Sequence, residues 1–527
     1  MASLPDYVAA AKPVPQNARA AWQKNIAPTY AGIMLWFVFW KGMVSGSPTP
    51  GGALAAGVAV AVLGVIIGAL ICHFGTYLVP GLLGQKTGLP LYVVGTSTYG
   101  VKGGFIMPGF LMGCLQFGWL AVNAFFTVKL ICNCFDIAPE ANDAAIFTPN
   151  VLHALMAVAY ILLAVFIGLK GIQYVAKVAT YMPLIPLVIL IILLVKTAGG
   201  LGDFSQEDIK ATAAKAVVVK TEAKAEAEVA LAAATTDDEK AEADKEVTKA
   251  KKNLEAAEGV AKKDPLDGLG VLLLLPGIIV GFFATAGAAG VDFGMNSRNS
   301  ADVQAGGLVG IVGATVFAGG AAVLIVAGAY GAGLIPAAEV GQLDAVEVMK
   351  VIFQGDAFLG LTPAKWLLFL LAISAFAPAC FPAFIAANSF KTTMPNVSPW
   401  ISVGLGTLCA VALAVSGWAG QAEAVFLVIG ASFGPICGAM LADFLLSGRK
   451  WAGPRAAFNP AGWISWAVGF VVGAIDLVAD KAKIPDIAVG VPCPSVAALI
   501  VGFVLYIVLA KAGLESRKLE MPQTAGD

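Results

Sequence analysis

The sequence predicts an all-α polytopic membrane protein, and three observations predict it. Hydrophobic residues make up 58% of the 527 positions and charged residues only 13%, far from the balance of a water-soluble domain. Twelve apolar stretches recur, each near the roughly 20 residues that a helix needs to cross a bilayer. One of them, Leu275 to Gly294, is apolar yet punctuated by Pro276, Gly277, Gly281, Gly287, Gly290 and Gly294. Proline lacks an amide donor and glycine is costly inside a helix, so this stretch reads as a discontinuous transmembrane helix, the kind that lines a cavity.

Taken in order, residues 1–26 are polar and lack the apolar core of a signal peptide, which starts the chain in the cytoplasm with Lys12, Arg19 and Lys24. Five spans follow, at 27–44, 54–77, 104–132, 151–169 and 179–195. After an insert come 270–290, 306–330, 366–387, 401–415 and 425–446, and then 463–478 and 495–509. With the N-terminus inside, Lys and Arg outside the insert fall mostly on the cytoplasmic side, as the positive-inside rule requires. The expected location is the cytoplasmic (inner) membrane, with both termini, including the 512–527 tail, in the cytoplasm.

The insert, residues 203–267, is rich in Ala, Glu and Lys and has no run long enough to span. Ala243, Val247, Ala250, Leu254 and Ala257 recur at helical spacing, with a thinner stripe through Ile209, Ala213, Ala216, Ala223, Ala227 and Ala230. Thr236 and Glu239 have capping-box spacing and start a second helix after Ala234 and Thr235. The expectation is an antiparallel, coiled-coil-like hairpin outside the membrane. It reads either as a solvated accessory or as an arm for a protein partner or for self-association.

Other classes find less support. A net charge of −1 without a basic tract gives no nucleic-acid footprint. The eight cysteines lack metal or redox spacing and read as small buried hydrophobes. His73 and His153 have no carboxylate at ligand spacing. No nucleophile elbow or phosphate loop is evident; the reading is not an enzyme, and no cofactor or metal is called for.

Polar groups at membrane depth are expensive and ask for a role. Gln116 and Trp119 share a helical face with Asn123 one turn on. An indole beside an amide suits a flat solute, stacked and read at its edge; a packed tryptophan with an interhelical amide bond is the alternative. Phe283 supplies an opposite wall, with Thr285 beside it and backbone amides free near Phe282. Lys41, after LWFVFW, must snorkel, pair or fill a cationic site.

Several runs resemble the nucleobase:cation symporter (purine–cytosine permease) family: P-V-P-Q-N-A-R at Pro13 to Arg19, G-x-K-T-G-L at Gly84 to Leu89, G-V-K-G at Gly100 to Gly103, Q-x-G-W at Gln116 to Trp119, V-D-F with R-N between Val291 and Asn299, and L-A-D-F at Leu441 to Phe444. The resemblance implies a five-plus-five inverted repeat of the leucine-transporter type, residues 27–198 and 268–448, with two further helices in 460–511. Spans one and six would be the discontinuous pair. It implies transport of a small planar nitrogen heterocycle, with Trp119 and Phe283 as the sandwiching aromatics and Gln116 as the edge-reading amide. In relatives the eighth span carries polar groups for sodium and base, whereas this chain has Ala377, Pro378, Ala379, Cys380 and Phe381. The resemblance also implies that Lys41 falls at the unwound centre of span one. Its ammonium would then replace sodium, leaving the coupling ion open between sodium and a proton, or would pair with an anionic solute. The competing class is a non-transporting receptor or scaffold that acts through the hairpin.

Overall fold

Hydrocarbon offers backbone groups no partner, so an apolar chain pairs them internally, and this one does so as helices. The computed structural model describes residues 4–45, 49–137, 150–335, 345–394 and 396–521. Residues 522–527 of the expected tail lie outside them. Among the described residues, ten helices are long and apolar enough to cross a membrane.

The first apolar run is split into α1 (Ile26–Met34) and α2 (Phe37–Ser45), with Leu35 and Trp36 outside both. Then come α3 (Val58–Thr87), α4 (Phe105–Cys134), α5 (Val151–Leu169) and α6 (Lys177–Asp203). The helices α7 (Gln206–Ala233) and α8 (Asp237–Ala261) form the insert. Next are α9 (Gly268–Ala288), the short α10 (Gly290–Gly294), α11 (Ser300–Gly331) and α12 (Ala345–Ile352). One span is interrupted at Ala375 into α13 (Pro363–Ser374) and α14 (Phe376–Thr393). The shorter α15 (Pro399–Val415), α16 (Ala422–Leu446), α17 (Pro460–Ala482) and α18 (Pro494–Lys511) complete the order.

The sixth span differs from expectation. It is helical through Phe282 to Thr285 and breaks only at Ala289, so no free amides lie at 282–285. Its glycines serve packing instead. A Cβ on Gly281 would sit 2.9 Å from Ser495 Oγ and one on Gly287 2.5 Å from Thr76 Oγ1, so each lets α9 lie close to a neighbour, α18 or α3. Pro276 withholds one amide without ending the helix.

The insert is two helices that pack along each other. Ser205 caps α7, and Thr236 and Glu239 form a reciprocal capping box at the start of α8. The root of α7 is docked: Ile209, Thr212, Ala213 and Ala216 are buried, and Tyr330 Oη donates to the Asp208 carbonyl at 2.9 Å. Beyond that root the arm is mostly exposed, and the α8 stripe is only half-buried.

Candidate functional site

Interrupting a helix frees carbonyls and amides that must find partners. At the first interruption, the Leu35 carbonyl accepts the indole N–H of Trp40 at 3.0 Å. At Ala375, the carbonyl accepts the Asn123 side-chain amide at 3.2 Å, and Asn123 in turn accepts Tyr160 Oη at 2.9 Å. Both exposed backbone ends are thus met by neutral side-chain donors from the same chain.

Beside the first interruption lies an aromatic enclosure. Trp119, in the middle of α4, meets Phe282 of α9 edge-on with ring centroids 4.6 Å apart, and Phe426 of α16 at 4.9 Å. Trp36, at the interruption itself, stands 6.2 Å from Trp119 and 6.1 Å from Phe282. Trp119 Nε1 donates to Thr285 Oγ1 at 3.1 Å, which fixes the tilt of the ring. Trp36 is 3% exposed, and its Nε1 is buried without a hydrogen-bond partner among the described residues. Phe282 meets Trp119 and Phe426 edge to face, and the other pairs are tilted at 37–48°. A planar solute stacked between two rings needs about 3.5 Å on each side, so occupancy requires Trp119 and Phe282 to part.

The expected residues are thus partly brought together. Trp119, Phe282 and Thr285 share the enclosure. Phe283 does not: it turns to Tyr30 at 5.4 Å, because adjacent helical residues point about 100° apart, and Phe282 takes the wall assigned to it. Gln116 is buried and donates to Met112 Sδ at 3.3 Å. Asn123 is engaged with Ala375 and Tyr160.

Lys41 is not at the unwound centre. It lies in α2, five residues past Trp36, with its side chain 41% exposed and Nζ 3.9 Å from Glu347, which also pairs with Lys350 at 2.9 Å. The ammonium sits in a recess lined by Phe37, Lys129 and Glu347, so its role as a buried stand-in for a cation is corrected, and snorkelling with pairing is what the geometry provides. The Trp36 indole and the Ala375 interruption were missed from sequence. Pro378, which leaves the turn before it one amide short, was the available signal for the second.

Apart from Q-x-G-W, which carries Trp119, the quoted motifs settle elsewhere. Asp443 of L-A-D-F pairs with the 1%-exposed Arg455 at 2.9 Å and accepts Ser97 Oγ at 2.6 Å, while Arg455 also reaches Glu515 at 2.6 Å. Burial opposes the Arg455 charge, but Asp443, Tyr506 and Glu515 outweigh it and hold its pKa above the ordinary guanidinium value. Arg19 donates to the Gln85 carbonyl at 2.7 Å, Asp292 accepts the Leu91 amide at 3.0 Å, and Asn299 caps the helix at Asp302 at 2.8 Å. These residues lock loops together at the helix ends and leave the enclosure to other positions. Among the described residues, no cluster of His, Cys, Asp and Glu is placed to hold a metal.

Comparison with known proteins agrees with this architecture. The family described as permease for cytosine/purines, uracil, thiamine, allantoin matches residues 13–237. Cytosine permease of Escherichia coli strain K12 is 35% identical over 121 residues, 22% of this chain and 26% of that protein, as is its counterpart in strain O157:H7. The match thus spans about a quarter of the length of the curated relatives. Among solved structures, Mhp1, a nucleobase-cation-symport-1 family transporter, in a closed conformation with bromovinylhydantoin bound, aligns with a TM-score of 0.60 at 13% identity, covering 97% of this chain and 96% of that one. Inward-facing Mhp1 gives 0.56 at 14% identity, covering 96% of each chain. A Na+-coupled sialic acid symporter in a substrate-bound outward-open state gives 0.52 at 13%, covering 98% and 93%.

Proposed function

From a chain that resembles the nucleobase:cation symporters over residues 13–237 and shares the fold of Mhp1 along nearly its whole length, we propose a secondary transporter, not an enzyme, for a small planar nitrogen heterocycle. The observation that carries the reading is the enclosure of Trp36, Trp119, Phe282 and Phe426 at a helix interruption. Rings that pack on one another when the site is closed, and must part to admit a flat solute, give the two states different affinities. Such differential binding is what alternating access requires.

The finer architecture belongs to the same proposal. Ten long helices, the split α1–α2 and the shorter α15 make twelve spans. The split α1–α2 and the α9–α10 break are matching interruptions of two inverted five-span halves. Both chain ends face the cytoplasm, and the hairpin faces the other side. Gln116, Asn123 and Thr285 complete the polar lining; Lys41 stands above it, paired with Glu347. Coupling is sodium-independent in this reading, for a reason other than Lys41: the Trp40 indole and the Asn123 amide already donate to the Leu35 and Ala375 carbonyls, so neither carbonyl depends on a cation for a partner.

A thermal-shift screen of the purified chain against purines, pyrimidines, hydantoins and thiazole or pyrimidine vitamin precursors, with and without sodium, tests it. Stabilisation by one heterocycle class, equal in the two salts, is expected. No response to any class overturns the transporter reading, and strict sodium dependence overturns the coupling.

A further inference from the structure

We propose that Trp36 selects the solute: its indole N–H donates to an uncharged in-plane acceptor, a carbonyl oxygen or an unprotonated ring nitrogen, on a planar heterocycle held between Trp119 and Phe282. The proposal rests on the transporter reading above and names the edge chemistry that this site demands.

Three indoles crowd the first interruption, and the protein serves two of them. Trp40 Nε1 has the Leu35 carbonyl at 3.0 Å, and Trp119 Nε1 has Thr285 Oγ1 at 3.1 Å. Trp36 Nε1 is buried with no partner among the described residues, although one helix ends and another begins beside it. The carbonyl freed next to it is the one that Trp40 takes. A buried N–H left unpaired is costly, and such groups in native proteins ask for an explanation. The ring that carries this one is 97% covered and faces the aromatic pair that must open for a flat solute.

The chemistry of indole narrows what fits. It donates and does not accept, so an amino or imino edge placed against it would leave two N–H groups in conflict. It is neutral and brings no counter-charge for a carboxylate. Lys41 is held by Glu347 further along α2. The solute edge that faces the interruption is therefore an acceptor and carries no charge. If Trp36 served only to fill space, phenylalanine would do the same, and this separates the two roles.

Binding to the full chain in nanodiscs is measured by calorimetry for cytosine, for 4-aminopyrimidine, which lacks the carbonyl, and for 3-deazacytosine, which carries C–H in place of a ring nitrogen. Trp36→Phe is expected to weaken cytosine about fivefold to tenfold, the worth of one hydrogen bond. The weakening should vanish for the analogue that lacks the acceptor met by Trp36. Equal weakening for all three, or none, overturns the inference. If Trp36→Phe does not assemble, Trp36→Gln, which keeps an N–H, should retain the preference for cytosine over that analogue while Trp36→Leu loses it; identical preferences overturn it. A wild-type chain that binds none of the three overturns it as well, and an empty thermal-shift screen beside that result removes the transporter reading too.

Discussion

The aromatic enclosure around Trp119 and the seam between α7 and α8 are both contacts between helices, built from opposite materials. The enclosure sets Trp36, Trp119, Phe282 and Phe426 against one another, with Phe282 1% exposed. The seam lies between two alanine-rich helices whose other faces are charged and wet, with Val247 and Leu254 in the α8 stripe. Large rings bury enough area for their closure to drive a change of state. Alanine buries little, so the seam relies on local devices, the capping box and helix propensity, to stay formed. In the proposed transporter, the first region opens around a solute and closes again, while the second only persists.

Four outcomes sharpen or break this contrast. The largest concerns the buried body that supports the enclosure. Asp443→Ala takes one of two carboxylate partners from the buried Arg455, leaving Glu515, and is expected to cost about 1.5–3 kcal/mol, the worth of a hydrogen bond to a charged group, read as a loss of assembled protein or a fall in Tm. Lys224→Ala removes an exposed pair in the arm, Lys224 with Glu228 at 3.4 Å, and should change stability by less than about 0.5 kcal/mol. Similar costs for the two would erase the distinction. Next, Trp119→Ala should weaken heterocycle binding by about 1–3 kcal/mol, the range for a base stacked on an aromatic ring; an unchanged Kd in folded protein means that no solute stacks there.

The third outcome is an expected absence of effect. Replacing residues 220–250 with a short flexible turn keeps the docked root at Ile209 and should leave binding and uptake within about twofold, since a surface insert tolerates such changes. Uptake that disappears while the protein stays folded would favour a working arm over an accessory one. The smallest effect lies inside the arm. Thr236→Ala should cost α8 about 1 kcal/mol of local stability, seen as faster hydrogen exchange in its first turn. The backbone amides of Thr236 and Thr235 hold the Glu239 pKa down to about 2 from an ordinary 4.5. The contribution of that carboxylate is therefore whole above about pH 4.5 and fades as the pH falls towards 2, and a titration that shows α8 fraying near neutral pH would contradict the cap.

What the sequence made legible divides along the same line. The capping box is a four-residue signal and could be read directly, as could spans whose hydropathy is unmistakable. Trp119 stood out because an indole beside amides at membrane depth is rare enough to need a reason. The choice between Phe282 and Phe283 was not legible: α9 is apolar on every side, so periodicity gives no phase. Glycine misled, since Gly281 and Gly287 could be breaks or close contacts, and only the neighbours Ser495 and Thr76 decide between them. The split between α1 and α2 carries neither glycine nor proline. It goes with the Trp40 bond to the Leu35 carbonyl and with the Phe282 ring that α9 presents to Trp36, and the second of these relations joins residues far apart in the chain. Of the motifs that carry the family resemblance, Q-x-G-W places Trp119 in the enclosure, whereas Arg19, Asp292, Asn299 and Asp443 join segments near the helix ends.

The Trp40 indole on the Leu35 carbonyl has one more consequence. A donor five residues away on its own chain has an effective concentration that no change in the bath can dilute, in the millimolar range for even a flexible tether, whereas a dissolved ion would have to be drawn from whatever the medium holds. The Leu35 carbonyl is therefore satisfied alike in fresh water and in brine.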